Sequence, residues 1–394
     1  MAEKRPVVLH IATDFPDGSG GNSTRAVANL LSATDDEIEH QVVSVQRIKK
    51  PVWKLEQVST DLLRLQFFSP PYGLFSNLMM FFVSLWLFAR LRHRKIDLIH
   101  AHKLTTDGPL GYFLSLWSGW PLTISVRGDT DSRFIRYKPF SRWLFRHIVK
   151  CARHIFWVSA WARAPISTKL HIPAESEKYS LLPNIVTIQP LPATTVAGQQ
   201  GAEAPFVFIG KLSQADKKGL WMVLDAMAVL RDKGTPAELD IYGGGSTDVL
   251  ATVNQRIESL KLDSLVNYRG KVPLDELSRT LPSYAALVMP SRNETFGMVY
   301  VEALFSGIPV IGCSQSGIDE YLPGDKQYVV QVSRDDPRQL VEAMQSMQRE
   351  HQRLKADLRT DISRGSLDMF TSETISRHYV QIMQSVSCLT ATQA

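Results

Sequence analysis

Residues Ala285–Glu320 read AALVMPSRNETFGMVYVEALFSGIPVIGCSQSGIDE. An apolar run, Ala285–Met289, breaks at Pro290, and a polar loop carries Ser291–Glu294. A helix is predicted to begin near Gly297 and to end at Gly307. Pro309 then leads into a second apolar run, Val310–Gly312. Strand, loop, helix and strand in this order make a βαβ unit, the building block of a parallel sheet. The first amides of such a helix, at Thr295, Phe296, Gly297 and Met298, lack intrahelical partners. With the helix dipole they offer a site for an anion such as a diphosphate. Glu294 in the loop and Glu302 in the second turn stand on either side of that site. Ionised carboxylates accept hydrogen bonds, so next to a bound anion their natural task is to grip neutral hydroxyls of a sugar or ribose. An N-cap at Glu294 and a solvated helix residue at Glu302 is the reading without function.

The same alternation extends along the chain. Strands are predicted at Val7–Ala12, Gln41–Val45, Ile96–Ala101, Leu122–Val126, His154–Val158 and Tyr179–Leu182, with helical periodicity in the segments between them. The first helix should bury Ala26, Val27, Leu30 and Leu31. Gln189–Ala204 is rich in Pro, Ala, Gly and Gln and lacks periodicity, which marks a linker. A fresh start follows at Phe206–Ile209, with further strands at Leu239–Tyr242 and Val266–Tyr268 and helices over Leu220–Leu230 and Asp248–Leu260. The expected organisation is an N-terminal doubly wound domain (1–188), a linker (189–204), a second doubly wound domain (205–370), and a helix (371–394) able to pack back on the first. Two such Rossmann-like α/β domains would face each other across a cleft, with ligands at the carboxyl ends of the strands.

The chain has 394 residues, and 44% hydrophobic against 21% charged residues excludes a disordered chain. A net charge of +5 excludes a dedicated nucleic-acid binder, but the charge is uneven. Residues 1–190 carry 24 Lys and Arg against 15 Asp and Glu, and the remainder is net negative. The basic half points to an anionic partner, a phosphate-bearing acceptor or an acidic membrane surface. Cys151, Cys313 and Cys388 are odd in number and lack metal-type spacing, which favours a reducing cytoplasm over a disulfide framework or zinc site. The opening residues run straight into a strand, without the pattern of a secretory leader. No residue from Leu65 to Ala89 is charged, but Pro70, Pro71 and Gly73 leave too short a helix over Leu74–Ala89 to span a bilayer. It reads as a core helix or as one lying in a membrane interface beside Arg90, Arg92, Arg94 and Lys95.

Two more loops stand at strand ends. Ile209–Leu220 carries Lys211, Lys217 and Lys218, cations placed to neutralise a departing pyrophosphate. Gly18-Ser-Gly-Gly-Asn22 follows the first strand. It lacks the GxGxxG spacing of dinucleotide folds, but Gly20 and Gly21 allow a backbone to approach a phosphate closely.

Together these stretches resemble the retaining glycosyltransferases of GT-B fold with an E-x7-E element, the group of glycogen synthase and the phosphatidylinositol mannosyltransferase. Glu294 through Glu302, followed by ALFSGIPVIG, Gly317 and Glu320, carry the resemblance. It implies that Glu294 contacts the donor sugar and Glu302 the ribose. Lys211, Lys218 and the Thr295–Met298 amides would hold the diphosphate, with Lys217 sharing that role. Asn267–Gly270, including Arg269, resembles the base-contacting loop. Gly210-Lys211 stands where the family usually has Gly-Arg, and Ser125-Val-Arg127-Gly128-Asp129 where it has a His-Gly pair. Arg127 then faces an anionic group at the reaction centre, and Asp129 and His102 lie on the acceptor side. Glu294, Lys218, Lys211 and Arg127 are the expected catalytic set.

The implied activity is metal-independent transfer of a sugar, with retention, from a nucleotide diphosphate sugar to a cell-envelope glycan or lipid-linked acceptor, in lipopolysaccharide or exopolysaccharide synthesis. No compact Asp-x-Asp is present, and no cofactor is expected. Arg142, Arg146 and Lys150 share a helical stripe beside Trp143, Leu144 and Phe145, which suggests peripheral docking on the inner face of the cytoplasmic membrane. The competing readings are a nucleotide-sugar epimerase or hydrolase and a non-catalytic nucleotide-sugar-binding protein. A dehydrogenase is disfavoured by the first glycine loop.

Overall fold

The computed structural model describes residues 5–19, 24–48, 50–68, 75–190 and 204–391. Gly20 and Gly21 lie outside them, as does most of the linker. The chain forms two compact units, one of residues up to Ile185 with those from Ser372 onward, the other Val186–Thr371. The division falls after Ile185, ahead of the linker read from composition.

The first unit holds strands β1 (Val7–Ala12), β2 (Glu39–Ile48), β3 (Trp53–Gln57), β4 (Leu62–Phe68), β5 (Leu98–Ala101), β6 (Leu122–Val126), β7 (His154–Trp157) and β8 (Tyr179–Leu181). They line up as β3-β4-β2-β1-β5-β6-β7-β8, parallel except for β3 against β4. The second holds β9 (Phe206–Ile209), β10 (Leu239–Tyr242), β11 (Val266–Gly270), β12 (Leu287–Val288), β13 (Val310–Cys313) and β14 (Val329–Val332), in the parallel order β11-β10-β9-β12-β13-β14. Each sheet changes direction beside its first strand, at β1/β5 and at β9/β12. Two Rossmann-like domains with parallel sheets are thus present.

Val7–Ala12 is buried along its whole length because a parallel strand is covered on both faces. The helix Arg25–Ser32 buries Ala26, Val27, Leu30 and Leu31, the predicted face. The stretch after β2 departs from the expected helical periodicity. Leu63, Leu65 and Phe67 are buried and alternate with half-buried Arg64 and Gln66, so the period is two and β4 forms. β14 and the helix Pro337–Ser363 were not foreseen.

Met80, Val83, Leu87 and Leu91 fix the inner side of the helix Ser76–Leu91 in the core of the first unit. Among the described residues no helix is long and apolar enough to cross a membrane. Two of the three cations of the expected stripe on the helix Arg142–Cys151 are tied down, while Lys150 is exposed. Arg142 Nε donates to the Ile135 carbonyl at 2.7 Å and Arg146 Nε to the Leu170 carbonyl at 2.6 Å, while Leu144 and Phe145 are buried. The helix Ser372–Ala391 contributes Ile375, Tyr379, Val380 and Met383 to a core shared with Val8, Leu98 and Phe156.

On that same side of the sheet four histidines form a buried polar seam. Thr34 Oγ1 donates to the Leu30 carbonyl at 2.9 Å, so it accepts from His40 Nε2 at 3.1 Å. His40 Nδ1 must then accept from His10 Nε2, and His10 Nδ1 from His102 Nε2, both at 2.9 Å. The tautomer of each neutral ring is fixed in turn, and the chain ends on His102 Nδ1, which is buried without a partner among the described residues. His100 bonds Tyr379 Oη and Ser125 Oγ, both at 2.8 Å, linking the C-terminal helix to β5.

Burial holds His10, His100 and His102 well below the ordinary imidazole range, and His40 and His154 near 4. The unfolded chain therefore takes up protons first as pH falls below about 6.5. Stability should be full above that pH and be lost down to about 4, with His40 and His154 each withdrawing about 2 kcal/mol by pH about 5. Urea unfolding of the chain across this range measures the loss, and a pH-independent midpoint would contradict the neutral seam.

Candidate active site

In the second unit the loops after β9 and β12 meet at the carboxyl edge of the sheet. β12 runs into Pro290, and the next helix is Met298–Phe305, entered through Gly297 in the left-handed region at φ 72°. Tyr300 explains that entry. Its buried ring lies under the loop, and its hydroxyl donates to the Met289 carbonyl at 2.5 Å. A Cβ on Gly297 would stand 2.4 Å from Tyr300 Cδ2, and one on Gly317, at φ 63°, would stand 2.6 Å from Tyr300 Cε2. The two glycines let the loops close over one aromatic ring.

The Lys218 ammonium pairs with Glu294 Oε2, and the Ser291 hydroxyl donates to the same oxygen at 3.1 Å. Ser316 Oγ accepts from the Glu294 amide and donates to the Ser291 carbonyl, each at 2.7 Å. Gly317 N–H closes the ring by donating to the Glu294 carbonyl at 2.9 Å. Glu294 is therefore held on both its backbone and its carboxylate. It is not the N-cap of the helix, a position that Gly297 occupies.

Glu302 sits in the second turn, and its carboxyl has no hydrogen-bond or ion-pair partner among the described residues. Burial pushes it up to about 7. A carboxylate kept short of water and partners is poised to accept hydroxyl donors. The Phe296 side chain is fully buried against Tyr321 and Phe370, which leaves only its backbone for a ligand. Lys211 is exposed at the end of β9, and its ammonium has no partner among the described residues. Arg269 Nε donates to Asp240 Oδ2 at 2.9 Å, which ties its side chain to β10 while about half of that side chain stays exposed.

Arg334, just after β14, had no signal in the sequence. Its Nη1 donates to the carbonyls of Asp216 at 3.0 Å, Lys217 at 3.2 Å and Pro290 at 3.4 Å. The Arg292 amide also donates to the Lys217 carbonyl, at 2.8 Å. One guanidinium thus ties the lysine loop to the glutamate loop and keeps Lys218 beside Glu294. Ser291, Ser316 and Tyr300 were likewise not singled out. Their role comes from loop closure, which residue type does not announce.

In the first unit His102 is buried one residue past β5, and Arg127 one residue past β6. Arg127 Nε donates to the His102 carbonyl at 3.0 Å and Nη1 to Asn184 Oδ1 at 3.1 Å. Its amide donates to Asp131 Oδ2 at 2.7 Å, and Asp129 occupies the first turn of the helix Gly128–Tyr137. Arg127 and His102 are therefore brought together, while the His102 ring points into the histidine seam. His10, His100 and His102 bring ligand atoms within 4.8 Å of one another. Both nitrogens of His10 and one of His102 are already spent on hydrogen bonds within the seam, and a metal there would have to displace those protons.

Two family models match the chain. Residues 23–189 match "Glycosyltransferase Family 4" and residues 203–350 match "Glycosyl transferases group 1". Mannosylfructose-phosphate synthase of Agrobacterium fabrum is 30% identical over 116 residues, 28% of this chain and 25% of that protein. The chain thus spans about a quarter of the length of that curated relative. Among solved structures, HepE of Anabaena in complex with UDP superposes with a TM-score of 0.70 at 15% identity, covering 96% of this chain and all of that one. The lipopolysaccharide outer core galactosyltransferase WaaB superposes with a TM-score of 0.68 at 15% identity, covering 95% and 98%. At that identity the likeness concerns the fold.

Replacing Gly317 by alanine should destabilise the second unit by about 3 kcal/mol, from the left-handed backbone and the displaced Tyr300 ring together. Chemical denaturation followed by a probe in that unit checks this, and an unchanged midpoint would mean that the loop does not close on Tyr300.

Proposed function

We propose that this chain, which belongs to the group 1 glycosyltransferases of GT-B architecture, transfers a sugar from a nucleotide diphosphate sugar with retention at the anomeric carbon. The observation that carries the reading is the meeting of Lys218, Glu294 and the start of the Met298–Phe305 helix at one sheet edge. The bond from the anomeric carbon to the diphosphate breaks, and its electron pair leaves with the diphosphate. Charge grows on the phosphate oxygens as it does so. Lys218, Lys211 and Lys217 and the helix-start amides stabilise that charge where it develops. An acceptor hydroxyl oxygen bonds to the anomeric carbon on the face the donor vacates, and its proton leaves with the diphosphate.

Binding of the diphosphate draws Lys218 away from Glu294, and the freed carboxylate accepts from the hydroxyls of the donor sugar. Glu302, otherwise without a partner, accepts from the ribose. The Asn267–Gly270 backbone meets the base. No step calls for a metal or cofactor. The donor class is supported by the UDP held by the superposed HepE.

The acceptor is a cell-envelope glycan or lipid-linked sugar, handled on the cytoplasmic side. The basic first unit supports an anionic acceptor, with Arg127 facing its charge and Asp129 its hydroxyl. The fold likeness to a lipopolysaccharide core galactosyltransferase points the same way.

Glu294→Gln should lower kcat by about a hundredfold or more in the folded enzyme, beyond the stability lost by stranding the Lys218 charge, since an acceptor aimed at the reacting sugar is lost. Wild-type turnover of the variant on a nucleotide-sugar donor would remove this assignment. The configuration of the new linkage, read by NMR, tests retention. Donor affinity should weaken as pH falls through about 7, where Glu302 takes up a proton and loses acceptor capacity. Calorimetric titration with UDP checks this, and Glu302→Gln should abolish the pH dependence.

A further inference from the structure

We propose that the first unit docks on an anionic phospholipid surface through one patch, formed by the outer stripe of the Ser76–Leu91 helix and the start of the Arg142–Cys151 helix. This names the surface on which the acceptor proposed above would be met, and it rests on that reading only for its purpose.

The Ser76–Leu91 helix has two apolar sides. Met80, Val83, Leu87 and Leu91 are spent on the core. Phe75, just before the helix, with Leu78, Phe82 and Leu85 inside it, recurs at spacings of three, four and three on the opposite side, and all four are exposed. A second group stands beside them. Phe140 is 91% exposed and Trp143 and Tyr137 are 70% exposed each, a cost in water that no packing among the described residues offsets. Asn77 Nδ2 donates to Ser141 Oγ at 3.0 Å, which ties the first turn of one helix to the start of the other and makes the two groups neighbours. Among the described residues, every exposed Phe and Trp belongs to this patch.

Charge decides what covers it. There is no Asp or Glu from residue 62 to 96 or from 132 to 174. Exposed Arg90, Arg92 and Lys95 close the far end of the apolar stripe, and exposed Arg133, Arg136 and Lys150 lie in the segments around Phe140 and Trp143. A second copy seated on the patch would bring the same unopposed cations face to face. A bilayer containing anionic lipid supplies the missing negative charge, accepts aromatic rings at headgroup depth, and lets arginine stems lie along apolar surface with their heads in water. At a rise of about 1.5 Å per residue, 16 residues reach about 24 Å, short of the hydrocarbon core, and one side is already buried in protein. The helix lies on the membrane rather than crossing it.

The test is sedimentation of the full chain with phosphatidylcholine vesicles, with and without about one third phosphatidylglycerol. Binding is expected to the anionic vesicles and to weaken as salt is raised. Phe140→Ser combined with Trp143→Ser should weaken it about tenfold or more, with melting temperature and UDP binding unchanged. Absence of binding to anionic vesicles, equal binding to neutral ones, or unaltered binding by the variant would overturn the proposal. A dimer in velocity sedimentation that the double variant dissociates would also overturn it by assigning the patch to a second copy. Vesicle binding needs no donor, and sugar transfer to a detergent-dispersed acceptor needs no vesicle, so the two readings fail separately.

Discussion

The ion pair of Lys218 with Glu294 holds the second unit's two functional loops together. Each loop follows a different strand, and the lysine loop has only the short turns Leu212–Gln214 and Ala215–Lys218 to keep it in place. The pair is largely shielded from water, with side chains 17% and 18% exposed, so removing one partner would strand the other's charge at a cost of about 3 kcal/mol. Several neighbouring groups brace it. Ser316 and Gly317 fix the glutamate loop, Arg334 fixes the lysine loop, and Tyr300 fills the space beneath. In the proposed reaction, an anion arriving at the helix start competes for Lys218 and leaves Glu294 needing a new donor, which a sugar hydroxyl supplies. Donor binding and the placing of the carboxylate are then one event.

Much of this was open to reading because parallel strands are covered on both faces and so appear as apolar runs. Val7–Ala12, Leu122–Val126, Phe206–Ile209 and Leu239–Tyr242 match their expected bounds. The strand–loop–helix order around Asn293 placed Glu294 and Glu302 correctly relative to the helix, because Pro290, Gly307 and Pro309 punctuate it. What escaped depends on partners distant in the chain. β4 runs into the uncharged stretch from Leu65, and only half-buried Arg64 and Gln66 betray its period of two. Arg334 acts on carbonyls more than forty residues earlier, and nothing in its own neighbourhood signals that. His10, His40 and His102 meet only because β2, β1 and β5 are neighbours in the sheet, an order that local sequence does not encode.

The first unit divides its labour by face. One side of its sheet carries the histidine seam and the C-terminal helix, tied together by the His100–Tyr379 bond. The exposed aromatic patch belongs to the Ser76–Leu91 and Arg142–Cys151 helices, whose inner residues pack in the other core. Arg142 and Arg146, expected in a free stripe, instead brace carbonyls at helix ends, and between them Trp143 reaches solvent while Phe145 is buried. Trp143 turns outward because it lies between the inward-facing Leu144 and the half-buried Arg142, and adjacent helix positions face different directions.

The most direct measurement is the position of the diphosphate in a structure of the chain with a bound nucleotide diphosphate sugar. The account predicts its oxygens within hydrogen-bond reach of the amides at the start of the Met298–Phe305 helix and of Lys218, with Lys218 withdrawn from Glu294. A diphosphate seated elsewhere, or a Lys218–Glu294 pair left intact beneath the sugar, would contradict it.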